Sequence, residues 1–93
     1  MKNLQELNDK QIEQLIDDIV GDQTIHTITC KTFLRIKIYY AKNLNLTLED
    51  VQEHIKQDII NDEFSYDRGT TLSNYINEIH CILLEQLILY NAR

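Results

Sequence analysis

Two His–Cys pairs of the chain have the chemistry of metal ligands. His26 and Cys30 stand four residues apart, so on a helix they share a face and both reach toward one Zn²⁺. His80 and Cys81 could complete the set, but adjacent helical residues point about 100° apart, which keeps the two from one ion on an unbroken helix. No CxxC or HxxxH supports the pattern, and closed zinc sites show tighter ligand spacing. The expectation is therefore no metal, no other cofactor, and two reduced, buried thiols packed as small hydrophobes.

Asp50, His54 and Asp58 recur at i, i+4 and i+8, and an Asp–His pair is the start of general-base chemistry. The only serines, Ser65 and Ser73, lie off that face, so no nucleophile accompanies the pair. A solvated polar face with a weak i, i+4 interaction explains the spacing without catalysis. Asp67-Arg68-Gly69-Thr70-Thr71 precedes a helix start, where exposed N–H groups could hold an anion, although such a stretch is more often only a cap and turn. With only Gly21 and Gly69, a glycine-rich phosphate loop is excluded. The chain is not expected to be an enzyme.

The remaining chemistry is charge. The chain of 93 residues has a net charge of −6, distributed in blocks. Residues 1–22 set Lys2 and Lys10 against Glu6, Asp9, Glu13, Asp17, Asp18 and Asp22. Residues 23–48 carry Lys31, Arg35, Lys37 and Lys42 and no acid. Residues 49–93 are acidic again, with only Lys56, Arg68 and Arg93 as bases. One reading of this segregation is mutual neutralisation between neighbouring helices. A second uses the acids: rows of Glu13, Asp17 and Asp18, and of Asp50, Glu53 and Asp58, joined by Asp62 and Glu63, would meet a basic groove on a partner protein. Immunity proteins, antitoxins and phage-encoded inhibitors of host or defence systems work in this way. A third uses Lys31, Arg35, Lys37 and Lys42 in a dimeric helix-turn-helix-like reader of nucleic acid. Its second helix would open with Leu48-Glu49-Asp50 and carry Glu53, which phosphates repel, so nucleic acid is not the expected partner.

The elements that must position these groups are helices. Without proline, and with two glycines, the chain lacks the turn-formers of an all-β fold. Asn8 with Gln11, and Thr47 with Asp50, have capping-box spacing, with Leu7/Ile12 and Leu46/Val51 at the staple positions. Ile12, Leu15, Ile16, Ile19 and Val20 form one stripe, and Gly21 falls where a left-handed residue ends a helix. The second segment has two stripes. One holds Ile25, Ile28, Thr32, Phe33, Ile36 and Tyr40; the other holds Cys30, Leu34, Ile38 and Ala41. That pattern predicts a central helix packed on more than one side, although β-branched residues 24–29 locally favour a strand. Leu48, Val51, Ile55 and Ile59 mark the third helix, and Leu72 to Tyr90 a fourth, apolar round most of its circumference.

The expectation is a single all-α domain over residues 1–93, a four-helix bundle with helices near 9–20, 24–43, 47–61 and 70–91. Residues 61–69 form its longest connection, tacked down by Phe64 and Tyr66. A homodimer through Leu84, Leu87 and Ile88 would cover the excess apolar surface of the last helix. No apolar run approaches the ~20 residues of a membrane span and no secretory leader is evident, so a cytoplasmic location with no membrane partner is expected.

Overall fold

The local signals of the first helix act as capping physics requires. In the computed structural model, which describes residues 3–21, 27–65 and 71–92, Asn8 accepts from the Gln11 amide at 2.8 Å, and Gln11 returns the bond to the Asn8 amide at 2.9 Å. The box opens α1 (Asp9–Val20), preceded by a 3₁₀ turn at Leu4–Glu6. Leu7 and Ile12 are both buried, which fixes how the chain enters the helix. Gly21 ends α1 with φ 63° and ψ −153°. The φ is positive as expected, but the ψ lies outside the left-handed helical well, in a region open essentially to glycine alone. A Cβ there would meet nothing within 4 Å, so the obstacle is the backbone itself. Gly21→Ala is expected to cost about 1–3 kcal/mol, read as a lower denaturation midpoint with an unchanged slope. A neutral substitution would show that the turn relaxes.

The second helix, α2 (Thr27–Asn43), already includes the β-branched residues 27–29; residues 24–26 lie outside the described residues. It stops in a Schellman motif. Leu46 N–H donates to Ala41 O at 2.8 Å and Asn45 N–H to Lys42 O at 3.3 Å, with Asn45 at φ 59°. Thr47 and Asp50 then form the second reciprocal cap, at 2.8 and 3.3 Å, and start α3 (Leu48–Ser65).

Here the structure corrects the sequence reading. Asp62, Glu63 and Phe64 belong to α3 and not to a connection, because neither glycine nor proline interrupts the chain there. Their side chains, together with Tyr66 and the Asp67–Thr70 stretch, lie outside the described residues. The last helix, α4, spans Thr71–Asn91.

The described residues form four helices and no strand, the all-α bundle expected. Helices α1–α2, α2–α3, α3–α4 and α4–α1 make the four sides, and α2 also touches α4 across the short diagonal. Ile12, Ile16, Ile19 and Val20 from α1 meet Cys30, Leu34, Ile38 and Ala41 from α2 in the core. Leu48, Val51 and Ile55 from α3 and Ile79, Leu83 and Leu87 from α4 complete it, with Leu4 and Leu7 closing one end.

Three further expectations are corrected. Only one of the two α2 stripes is inside; Ile28, Ile36 and Tyr40 of the other are 82, 61 and 53% exposed, although Phe33 is partly buried. Cys81 is exposed while Cys30 is buried, because His80 takes the inward position and its neighbour is turned about 100° away. Leu87, expected to face a second copy, is 0% exposed within the monomer. Leu84 is partly buried and Ile88 is exposed.

Candidate interaction surface

One flank of α2 carries a row of polar groups one turn apart that meets a matching row on α1, and the other flank places Lys37 against α3. Toward α1, Tyr39 donates to Asp9 Oδ1 at 3.2 Å. One turn back, Arg35 grips Glu13 with two bonds of 2.8 Å, from Nε and Nη2. One turn further, Lys31 Nζ lies 2.8 Å from Asp17 Oδ1. As numbers rise by four along α1 they fall by four along α2, so the two helices run antiparallel and the seam repeats once per turn. Lys42 extends the seam by donating to the Leu7 carbonyl at 2.6 Å, and Gln5 Nε2 returns a bond to the Lys42 carbonyl at 3.2 Å.

On the other flank, Lys37 Nζ donates to Asp58 Oδ2 on α3. That same oxygen lies 3.9 Å from His80 Nε2 on α4, and Phe33 meets the His80 ring edge-on with centroids 5.4 Å apart. Asp58, placed by its helical spacing on an outer face, is thus a half-buried junction of three helices. The Asp50–His54–Asp58 stripe separates: Asp50 caps α3, His54 lies 6.2 Å from the Tyr40 ring, and Asp58 turns inward.

These bonds fix the ionisation of their members. Hydrogen bonding to Arg35 holds the Glu13 carboxyl below its ordinary range, and the Thr47 amide and hydroxyl do the same for Asp50. Desolvation, with the bond to Asp9 adding to it, pushes the Tyr39 phenol up, and burial pushes the Cys30 thiol up. For the two acids the folded state binds protons less tightly than the unfolded chain. Their contribution is therefore complete above the ordinary carboxylate values near about 4 and is lost as pH falls through the depressed ones. Melting curves from pH 6 down to pH 3 are expected to show stability falling below about pH 4.5, with a shallower fall in Glu13→Gln and Asp50→Asn. Parallel curves for wild type and both variants would remove these groups from the acid transition.

The sequence-read acids thus fall into distinct sets. Glu13, Asp17 and Asp58 are spent on α2. Asp50 is a cap, and among the described residues Glu53 accepts only from Gln57 at 3.1 Å and Asp18 only from Gln14 at 3.0 Å. Among the described residues Glu6, Asp9, Asp18, Glu49, Asp50, Glu53 and Glu85 have no Lys or Arg in ion-pair range, and the lysines outside every ion pair and seam bond are Lys10 and Lys56. The cations Lys31, Arg35, Lys37 and Lys42 are all engaged internally.

The helical wheel of α1 explains the division. Its core face is Ile12, Ile16, Ile19 and Val20, and its α2 face is Asp9, Glu13 and Asp17. A third face, Gln11, Gln14, Leu15 and Asp18, borders an open cleft of about 350 Å³ against Leu4, Leu7, Leu48 and Tyr90. The sequence reading did not single out this cleft. Its signal is Leu15, an apolar residue at the edge of the stripe whose i+3 neighbour is a carboxylate.

Two shallower grooves stand elsewhere. One, between α3 and α4, is apolar and contains Ile59, Leu84, Ile88 and Leu89. The other has Lys37, Asp58 and His80 on its walls with Phe33, Ile36 and Ile76. Among the described residues no group of three or more His, Cys, Asp or Glu could hold a metal ion; His26 is not one of them. Among the described residues no helix is long and apolar enough to cross a membrane. The chain matches no family model, and no curated protein or solved structure is significantly similar to it.

Proposed function

We propose that the protein is a non-catalytic docking module that uses its uncompensated acidic surface to occlude or regulate a basic partner protein. Immunity proteins, antitoxins and phage-encoded anti-host or anti-defence inhibitors are the kinds of protein that act so. The observation that supports this reading is the sorting of charge. With Lys31, Arg35 and Lys37 paired along the helix contacts and Lys42 held by a carbonyl, the described acids outside every ion pair are Glu6, Asp9, Asp18, Glu49, Asp50, Glu53 and Glu85, against the lysines Lys10 and Lys56. A surface with an excess of one sign steers encounter with an oppositely charged partner and disfavours like-charged ones. A reader of nucleic acid would need the very cations that the fold holds in place, which weakens that alternative.

The sorting dictates which residues to test. Asp18→Lys, Glu49→Lys and Glu53→Lys together reverse charges that form no ion pair in the fold, so helicity and melting temperature should stay near wild type. Basic proteins retained by the immobilised wild-type chain are identified, and their affinities for both chains are measured at two salt concentrations. The expected result is a basic protein whose affinity falls at least about tenfold with the triple variant and also falls with salt. Equal affinity for both chains, or tight salt-sensitive binding to duplex DNA in place of a protein, would retire the proposal.

A further inference from the structure

We propose that the cleft on the third face of α1 receives a long-stemmed cation, the side chain of a lysine or arginine from the basic partner. This inference rests on the docking reading above and gives that surface its anchor point. The floor of the cleft is apolar, with Leu4 and Leu48 only 2 and 3% exposed, and half-buried Leu15 and Tyr90 stand on its walls. At about 350 Å³ it falls at the small end of ligand-binding clefts. One carboxylate, Asp18, stands at its rim, oriented by the 3.0 Å bond from Gln14 Nε2.

The chemistry of floor and rim selects the occupant. Lysine and arginine lay methylene stems on apolar surface while their charged ends stay among polar groups, which matches the apolar Leu15 one turn from the Asp18 carboxylate in the cleft wall. A wholly apolar occupant would gain nothing from the exposed Asp18 carboxylate at the rim. An anion would meet Asp18 head-on. A second copy of the chain would bring a net charge of −6 to an acidic face. Lys10 cannot fill the role from within, because it lies two turns away, about 12 Å along the same helix. Buried cationic anchors of this kind dominate the energy of many protein interfaces, and arginine is enriched among them.

A pair of matched amphiphiles tests the cleft without the partner. Hexylammonium and hexanoate have the same stem and opposite heads, and each is titrated into the ¹⁵N-labelled full chain. The expected result is saturable shifts at the amides of Leu15, Asp18, Leu48 and Tyr90 with hexylammonium, and binding of hexanoate about two- to fivefold weaker, the range for one exposed ion pair. Asp18→Asn should remove most of that preference while stem-driven shifts at the same amides persist, which separates loss of the charge from loss of the fold. Equal binding of the two amphiphiles, or shifts centred on Ile88 and Leu89 instead, would overturn the proposal. The two readings fail separately. A chain that loses its partner on reversal of Glu49 and Glu53 but shows no ammonium preference loses only the anchor. One that prefers hexylammonium in the cleft but keeps its partner on reversal of all three acids loses the docking reading.

Discussion

Truncating Leu34 to alanine is expected to remove about 2–5 kcal/mol of stability, a large part of the roughly 5–14 kcal/mol that a domain of this length holds. Leu34 is 0% exposed on the helix that touches every other helix and the N-terminal turn. The loss combines the transfer free energy of the deleted atoms with the cavity they leave, and a residue held on several sides cannot be replaced by collapse of one neighbour. In a domain this small it corresponds to a fall in melting temperature of about 10–30 °C. Ile36, two residues away, provides the control. It is 61% exposed, and its truncation should change stability by no more than about 0.5 kcal/mol. Equilibrium denaturation of the two variants measures both values. Similar losses at both positions would mean that the exposed stripe of α2 is covered in solution.

That contrast also shows which parts of the fold are legible in the sequence. The caps at Asn8–Gln11 and Thr47–Asp50 are legible because their bonds close within three residues and depend on little else. The stripe of α1 is legible because charged residues and glutamines occupy nearly everything beside it. The two stripes of α2 have the same period and similar composition, so local pattern cannot say which is inside. The flanks decide: Lys31, Arg35 and Tyr39 must face α1, and Lys37 must face α3, which leaves Leu34 and Ile38 inward and Ile36 outward.

The complementary rows of α1 and α2 are present in the sequence as acids at 9, 13 and 17 and donors at 31, 35 and 39. They become a seam only when one row is read backwards against the other. The end of α3 is not legible, because a helix that meets no breaker continues until packing stops it. Nor is the cleft at Asp18, whose walls come from four separate elements.

The second large effect is expected at Asp58. Asp58→Ala should cost about 1–3 kcal/mol, because it leaves the Lys37 ammonium, on a side chain only 24% exposed, without its carboxylate. It also removes the anion 3.9 Å from His80. The cost arises from an uncompensated charge and not from the strength of the ion pair itself. Drawing two charges partly out of water cancels much of their attraction, so deleting both with apolar groups of similar size should be far gentler than deleting one. The double variant Lys37→Met/Asp58→Leu is therefore expected to recover most of the loss, and the coupling energy from the full cycle should be large and favourable to the matched states. A double variant as unstable as Asp58→Ala would show instead that the carboxylate serves His80 or the backbone of α3 independently of Lys37. The same logic separates the two sets of acids on this molecule. Carboxylates matched to α2 take part in helix contacts, so reversing them sets like charges against each other within the bundle. Asp18 and Glu53 make only exposed bonds within their own helices and Glu49 interacts only with the dipole of α3, effects of a few tenths of a kcal/mol to about 1 kcal/mol, so a tenfold loss of partner affinity on reversing them must come from what they meet outside.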